Sequence, residues 1–157
     1  MFFKKIISVF ILFAISPSFL FLPLELKSCS GSSQRIGPIL KKGKILGMKL
    51  YGFHRDNILR YIGFIKNDII LEVNGFKIYE LIGEDNLNQF RFLKENFKKD
   101  KHLKVQFLRK ESIYELEFTF NEKNFSKIED SPCSGYEIDP NIPKKEMFDF
   151  YEMRKIE

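Results

Sequence analysis

Tryptophan is absent from this 157-residue sequence, and there are only two cysteines and two histidines. Each scarcity removes a class of chemistry. Cys29 and Cys133 stand about a hundred residues apart, no CxxC occurs, and His54 and His102 sit at no zinc-ligand spacing, so no metal site is expected. No GxSxG occurs either. The two Ser-Gly stretches, CSGS (29–32) and CSGY (133–136), fall in linker-like and tail-like sequence. An activated serine needs a positioned base, and His54 in a turn and His102 at a strand start read as structural. The carboxylates are scattered without a pair that stands out. The expectation is a non-enzymatic protein with no cofactor and no small-molecule substrate.

A strong charge of one sign is also missing. The formal net charge is +5. Residues 1–29 hold Lys4, Lys5 and Lys27 against Glu25, so +2 belongs to that stretch and +3 to the rest. A surplus that small, spread over a mixed surface, is no nucleic-acid footprint, which shows as a basic face or stripe. It serves mainly solubility.

The long apolar run lies at the N-terminus. After the basic flank MFFKK comes IISVFILFAISPSFLFLPLEL (6–26), with one charge, Glu25. A signal-peptide core runs about 7–15 residues, and a spanning helix needs about 20. The length favours an uncleaved anchor, with Lys4 and Lys5 cytoplasmic and the body of the chain outside. Pro17 and Pro23 are tolerable in a span. Two cleavage readings stay open: AIS (14–16) as a signal-peptidase site, followed by an unfavourable Pro17, and LKSC (26–29) as a loose lipobox with Cys29 lipidated. All three put the domain outside the cytoplasm, where Cys29 and Cys133 have the option of pairing unless Cys29 is lipidated.

Residues 1–29 are therefore read as anchor or signal segment and 30–38 as a Ser/Gly-rich linker. KKGKILGMKLYGF (41–53) gives two short extended segments broken at Gly43 and Gly47. Met48 and Leu50 lie on one face, Lys49 and Tyr51 on the other. RDNILRYIG (55–63) is one or two helical turns, capped by Asp56 or Asn57 and stopped by Gly63, with Ile58, Leu59 and Ile62 apolar. Asn67-Asp68 turns the chain into the strand IILEV (69–73). Asn74-Gly75 is a hairpin signal, because a type I′ turn needs two residues at positive φ. FKIYEL (76–81) is expected as the partner strand. EDNLNQFRFLKENF (84–97) is an amphipathic helix with Leu87, Phe90, Leu93 and Phe97 on one face. HLKVQFLRK (102–110) turns Leu103, Val105 and Phe107 inward, and IYELEFTF (113–120) does so with Tyr114, Leu116, Phe118 and Phe120. The tail 121–157 contains a loop over 131–143 and a short helix over 144–156, with Met147, Phe148 and Tyr151 at helical spacing. It can pack on the domain or serve a partner.

This order of elements resembles a PDZ domain of the bacterial type. LRYIGFIKNDIILEVNGFKI (59–78) matches the family's hallmark stretch, a short helix ending in Gly, then an Asn-Asp corner, a buried strand and an Asn-Gly turn. GMKLYGF (47–53) matches the strand before it, and VQFLRKESIYELEF (105–118) the closing hairpin. Within the family, the chain most resembles the PDZ-like domain of type II secretion system protein C, an inner-membrane subunit. The resemblance covers roughly 45–120. The linker of about ten residues has no room for the separate domain that usually lies between span and PDZ in that subunit.

The resemblance implies an α+β, PDZ-like, partly open β-barrel or sandwich over 39–120, with one short and one long helix. It implies a groove where an extended peptide adds to a sheet edge. The edge strand would be ILKKGKIL (39–46) and the facing helix 85–97. The groove residues would be Ile39, Leu40, Ile45 and Leu46 opposite Leu87, Phe90 and Leu93. Gly63, Asn67, Asp68, Asn74 and Gly75 are the structural turns. The carboxylate-binding Gly loop of peptide-binding PDZ domains has only Gly37-Pro38 in its place, so docking of whole proteins is as open as capture of free C-termini. The implied role is a periplasmic scaffold or coupling subunit in the bacterial inner membrane, single-pass through 6–26, with envelope or secretion-system proteins as partners and no nucleic acid. The alternative is a PDZ lipoprotein or adaptor that presents peptides to an envelope protease or sensor.

Overall fold

The computed structural model describes residues 35–53, 55–81, 95–96, 99–131 and 135–157. Nine strands and three four-residue helices follow one another in these segments: β1 (Arg35–Lys41), β2 (Lys44–Gly52), α1 (Ile58–Tyr61), β3 (Ile69–Val73), β4 (Phe76–Lys77), α2 (Ile78–Leu81), β5 (His102–Arg109), β6 (Ser112–Phe120), β7 (Glu129–Ser131), β8 (Gly135–Glu137), α3 (Lys144–Met147) and β9 (Phe148–Lys155). The main sheet is antiparallel in the order β1-β2-β3-β5-β6-β9, with β4 added to β3; β7 and β8 form a separate two-stranded sheet.

Local chemistry accounts for the turns. Asn74 at φ 48° and Gly75 at φ 84° supply the two positive dihedrals that a tight hairpin requires between Val73 and its partner Phe76. Asn74 also ties that turn to β5, because the Lys104 amide donates to Asn74 Oδ1 at 2.6 Å and the Asn74 amide to the Lys104 carbonyl at 2.7 Å. The side chain of Asn57 caps α1 by accepting from the Leu59 amide at 2.8 Å. Gly63 ends that helical stretch at φ 110°.

The core lies on one face of the sheet. Met48 and Leu50 point into it from β2, Leu103, Val105 and Phe107 from β5, and Leu116, Phe118 and Phe120 from β6. Ile58, Leu59 and Ile62 cover it from the α1 region. The period-two alternation in β5 and β6 therefore reads as expected. Gly47 is buried where β2 crosses β3, and a Cβ there would stand 2.3 Å from the Ile70 carbonyl oxygen. Only glycine lets the two backbones come that close.

Four expectations are corrected. The strand expected over 76–81 is two residues of β4 followed by α2. Ile78 and Leu81, three apart, are both buried, and the Glu80 carboxylate accepts from the Lys77 amide at 2.7 Å, so a helical turn satisfies the segment better. Residues 35–38 belong to β1 rather than to a linker. The segment 39–46 is a hairpin rather than one strand, with Lys42 at φ 51° and Gly43 at φ 77° in its turn. Of 144–156, only 144–147 is helical, and 148–155 forms β9.

That last correction changes the domain boundary. β9 pairs with β6 from Phe120↔Phe148 to Tyr114↔Lys155, so 121–157 is no appendage to the sheet but supplies one of its edges. Its aromatic residues do the packing. Phe148 is buried against Phe118, Phe120 and Tyr61, and the Tyr151 hydroxyl donates to the Ile62 carbonyl at 2.7 Å. A Cβ on Gly63 would meet Met153 and Tyr151 of β9 at under 3 Å, so the helix stop and the final strand are built against each other.

Among the described residues no helix is long and apolar enough to cross a membrane. The apolar run 6–26, Cys29 and Cys133, His54, and the helix expected over 84–97 with Leu87, Phe90 and Leu93 lie outside the described residues or, for the helix, almost wholly so.

Candidate functional site

The two ends of the main sheet are β1 and β9, and among the described residues each pairs on one side only. β1 has the composition of a docking edge. Its turn is two residues long, which makes Lys41 and Lys44 the closing pair, and an antiparallel closing pair exchanges both hydrogen bonds. Lys41, Ile39 and Gly37 then face β2. Ile36, Pro38 and Leu40 turn their backbone groups outward. The position of Pro38 agrees with this, since proline has no N–H and is tolerated in a sheet where that donor is not needed by the ladder. The free rim of β1 thus offers the amides of Ile36 and Leu40.

The side chains around this rim are apolar in the strand and basic at its end. Leu40 is 64 % exposed. Ile36 and Ile45 pack on the core from half-buried positions. Tyr51 lies against Gly37, with a Cβ–ring separation of 3.2 Å were Gly37 an alanine, and Lys49 Nζ stands 5.5 Å from the Tyr51 ring centre. At the hairpin end Lys41, Lys42, Lys44, Ile45 and Leu46 line an open depression of about 340 Å³.

Of the expected groove residues, the structure brings Ile39 and Leu40 together on β1 and Ile45 and Leu46 on β2. Their expected opposing residues Leu87, Phe90 and Leu93 lie outside the described residues. The sequence reading placed Gly37-Pro38 at the end of a linker and a break at Gly43, but gave no role to Lys41 and Lys42 of the turn.

Of the expected turn residues, Gly63, Asn67, Asn74 and Gly75 have positive φ. Asp68 is buried and accepts from the Ile65 amide at 2.8 Å, and Arg109 grips it with Nε at 2.9 Å and Nη2 at 2.7 Å. The same Nη2 donates to the Gly63 carbonyl at 2.8 Å, so one guanidinium pins the helix stop and the Asn-Asp corner together. The hydrogen bond to Asp68 raises the Arg109 pKa further above its ordinary value. Arg109 was not anticipated, because a partner 41 residues away is not visible in a local pattern.

On the outer face of the sheet Glu115 is covered by its neighbours. It accepts from Arg154 of β9 at 3.1 and 2.5 Å and pairs with Lys104 of β5 at 3.0 Å. This covering pushes its pKa up, but the hydrogen bonds from Arg154, Lys104 and Gln106 outweigh that and hold the carboxyl below the usual range. His102 is engaged by Thr119 at 2.9 Å and Glu117 at 3.3 Å. Among the described residues no three His, Cys, Asp or Glu side chains are grouped to hold a metal. A second cleft, of about 400 Å³, runs between α1 and 138–144 and carries both signs of charge, from Arg55, Asp56, Arg60 and Lys144.

The architecture is a mostly antiparallel sheet with a few short helices and, among the described residues, a first strand paired on one side only. Among solved structures the chain is similar to the PDZ domain of EpsC from Vibrio cholerae, residues 204–305. The identity is 18 %, the match covers 56 % of this chain and 78 % of that one, and the TM-score is 0.42. At that identity and overlap the likeness says nothing of partners. No protein-family model matches the chain. No curated protein matches it either.

Proposed function

We propose that this protein is an interaction module that takes up an extended segment of another protein along the free rim of β1. The observation that carries the reading is that strand: seven residues, hydrogen-bonded on one side among the described residues, with Leu40 exposed and no carboxylate along it. An unpaired edge of this kind is a template for a further strand, in which main-chain bonds give affinity and alternate side chains give selectivity. The protein would act by binding, with no chemistry of its own.

Leu40→Pro tests this. It removes an outward amide and leaves the β1–β2 ladder intact, so the fold should survive while binding is lost. A displayed library of random extended peptides is panned on wild type and variant, with circular dichroism on both. Enrichment on wild type alone, and slowed hydrogen exchange at the Ile36 and Leu40 amides in the complex, is the expected result. Equal enrichment on the folded variant sinks the reading.

The finer proposal follows the hallmark motif. It is motivated by that stretch, which has positive φ at Asn67, Asn74 and Gly75, and by the apolar run 6–26 that precedes the domain by a short stretch. On that basis the module is a single-pass protein of the bacterial inner membrane, facing the periplasm, and a scaffold or coupling subunit of a type II secretion-like system. The LKSC stretch (26–29) favours a second reading, a lipoprotein that serves an envelope protease or sensor. Intact mass spectrometry separates the two. A chain retaining its first residues supports the anchor, and an acylated chain beginning at Cys29 supports the lipoprotein.

A further inference from the structure

The β1–β2 hairpin (35–52) contains Arg35, Lys41, Lys42, Lys44 and Lys49 and not a single Asp or Glu. The whole chain has 26 basic and 21 acidic residues, so outside this hairpin the counts balance. Residues 30–157 carry the surplus of +3 expected to be spread over a mixed surface, yet this one hairpin at the edge of the sheet holds +5 and the rest of that stretch sums to −2.

The arrangement has a local cost. Lys41 stands directly opposite Lys44 on the last rung of the ladder, and Lys42 occupies the turn between them at φ 51°. Like charges facing each other across strands destabilise a hairpin. Among the described residues no carboxylate pairs with Arg35, Lys41, Lys42 or Lys44 to relieve it. All four are exposed. A conflict between local preference and the fold, left without internal compensation, is what a binding surface retains.

We infer that the segment taken up by β1 is acidic: an extended stretch in which aliphatic residues alternate with Asp or Glu. This rests on the edge-binding reading above. The unpaired backbone of β1 calls for another backbone, which a lipid surface or a nucleic acid does not offer in strand form. The lysine stems and Ile45 and Leu46 line the depression at the hairpin end with apolar surface, while the ammonium groups stay in water at its margin. An aliphatic side chain of the incoming strand fills that depression, and its flanking carboxylates meet Lys41, Lys42 and Lys44.

The test uses the full chain and two labelled heptapeptides, Asp-Val-Glu-Ile-Glu-Val-Asp and its amide counterpart Asn-Val-Gln-Ile-Gln-Val-Asn. Binding is followed by fluorescence anisotropy at ionic strengths of about 0.01 and 0.1 M, between which the screening length falls from about 30 to about 10 Å. The acidic peptide is expected to bind about tenfold more tightly at low salt, a preference that shrinks at the higher salt and disappears in Lys41→Gln/Lys42→Gln/Lys44→Gln. Those exposed substitutions leave the fold intact, as circular dichroism will confirm.

Equal binding of both peptides, lost in Leu40→Pro, overturns the acidic preference and leaves the edge reading standing. Failure of every extended peptide, including those from the random library, overturns both. Vesicles of one part phosphatidylglycerol to three of phosphatidylcholine, and analytical ultracentrifugation, examine the other occupants. Lysine-dependent vesicle binding without peptide binding assigns the hairpin to a membrane surface. Lysine-dependent dimerisation assigns it to a second copy. Either result overturns the proposal.

Discussion

The two edges of the sheet are built to opposite specifications. β9 is anchored through its side chains. Phe148 is buried in an aromatic group with Phe118 and Phe120, Tyr151 reaches the Ile62 carbonyl, and Met153 packs over Gly63. Along its length Asp149, Glu152, Arg154 and Lys155 are exposed charges of both signs, which discourage another strand from pairing. β1 has Ile36, Ile39 and Leu40 in its middle, positive charge alone at both ends, and Pro38 as its one obstacle to pairing. β9 closes the domain and β1 leaves it open. The difference teaches that an unpaired strand is informative only beside what guards it.

The comparison is broken most severely at Phe148. Phe148→Ala removes the ring that holds β9 in place, at a cost of about 3–5 kcal/mol. Urea unfolding should show a much lower midpoint, with hydrogen exchange accelerated in β9 and β6 before β1. A loss confined to β1 would mean that β9 is not the closing strand.

Gly47→Ala acts on the other side. Its Cβ would drive into the Ile70 carbonyl, so β2 must lift from β3, at a cost of about 1–3 kcal/mol. The expected result is a smaller fall in the urea midpoint, together with weakened peptide binding, because β1 is carried on β2. An unchanged midpoint would show that the two strands are not that close.

Glu115→Gln has a smaller effect still, and one that depends on pH. A carboxyl held below its usual range contributes stability above its unfolded value, near 4.3, and loses it as pH falls through the folded value. Its partners Lys104 and Arg154 are half-exposed and screened by water, so the contribution is modest. Urea midpoints at pH 7 and pH 3 should differ less in the variant than in wild type. Equal differences would separate Glu115 from the acid sensitivity of the β9 edge. Leu40→Pro completes the contrast, with no loss of stability expected at all.

Much of this was legible in the chain before it was folded. The cap at Asn57, the stop at Gly63, the hairpin at Asn74-Gly75 and the alternation of β5 and β6 each depend on neighbours a few residues away, and sequence displays those directly. The helix expected over 144–156 failed for a different reason. Met147, Phe148 and Tyr151 suit one face of a helix, yet Phe148 and Tyr151 serve a strand once β6 offers seven residues, Tyr114 to Phe120, for pairing beside aromatic rings. Residues 78–81 erred the other way, since Ile78 and Leu81 follow a turn that invites a strand but are both buried only in a helical turn.

What the sequence determined by itself was whatever steric and hydrogen-bonding rules decide within a turn or two: where the chain caps, where it reverses at positive φ, and which side of a strand is oily. What only the tertiary structure decided was partnership. The sequence holds five cations between 35 and 52 and the string FDFYEMRK near its end, but neither says which edge each will occupy. β9 became the closing edge because Phe148 and Tyr151 find buried partners across the sheet, and β1 is the open one because, among the described residues, it is paired on one side alone. Both outcomes turn on contacts between residues dozens of positions apart, whose energies exist only once the chain has brought them together.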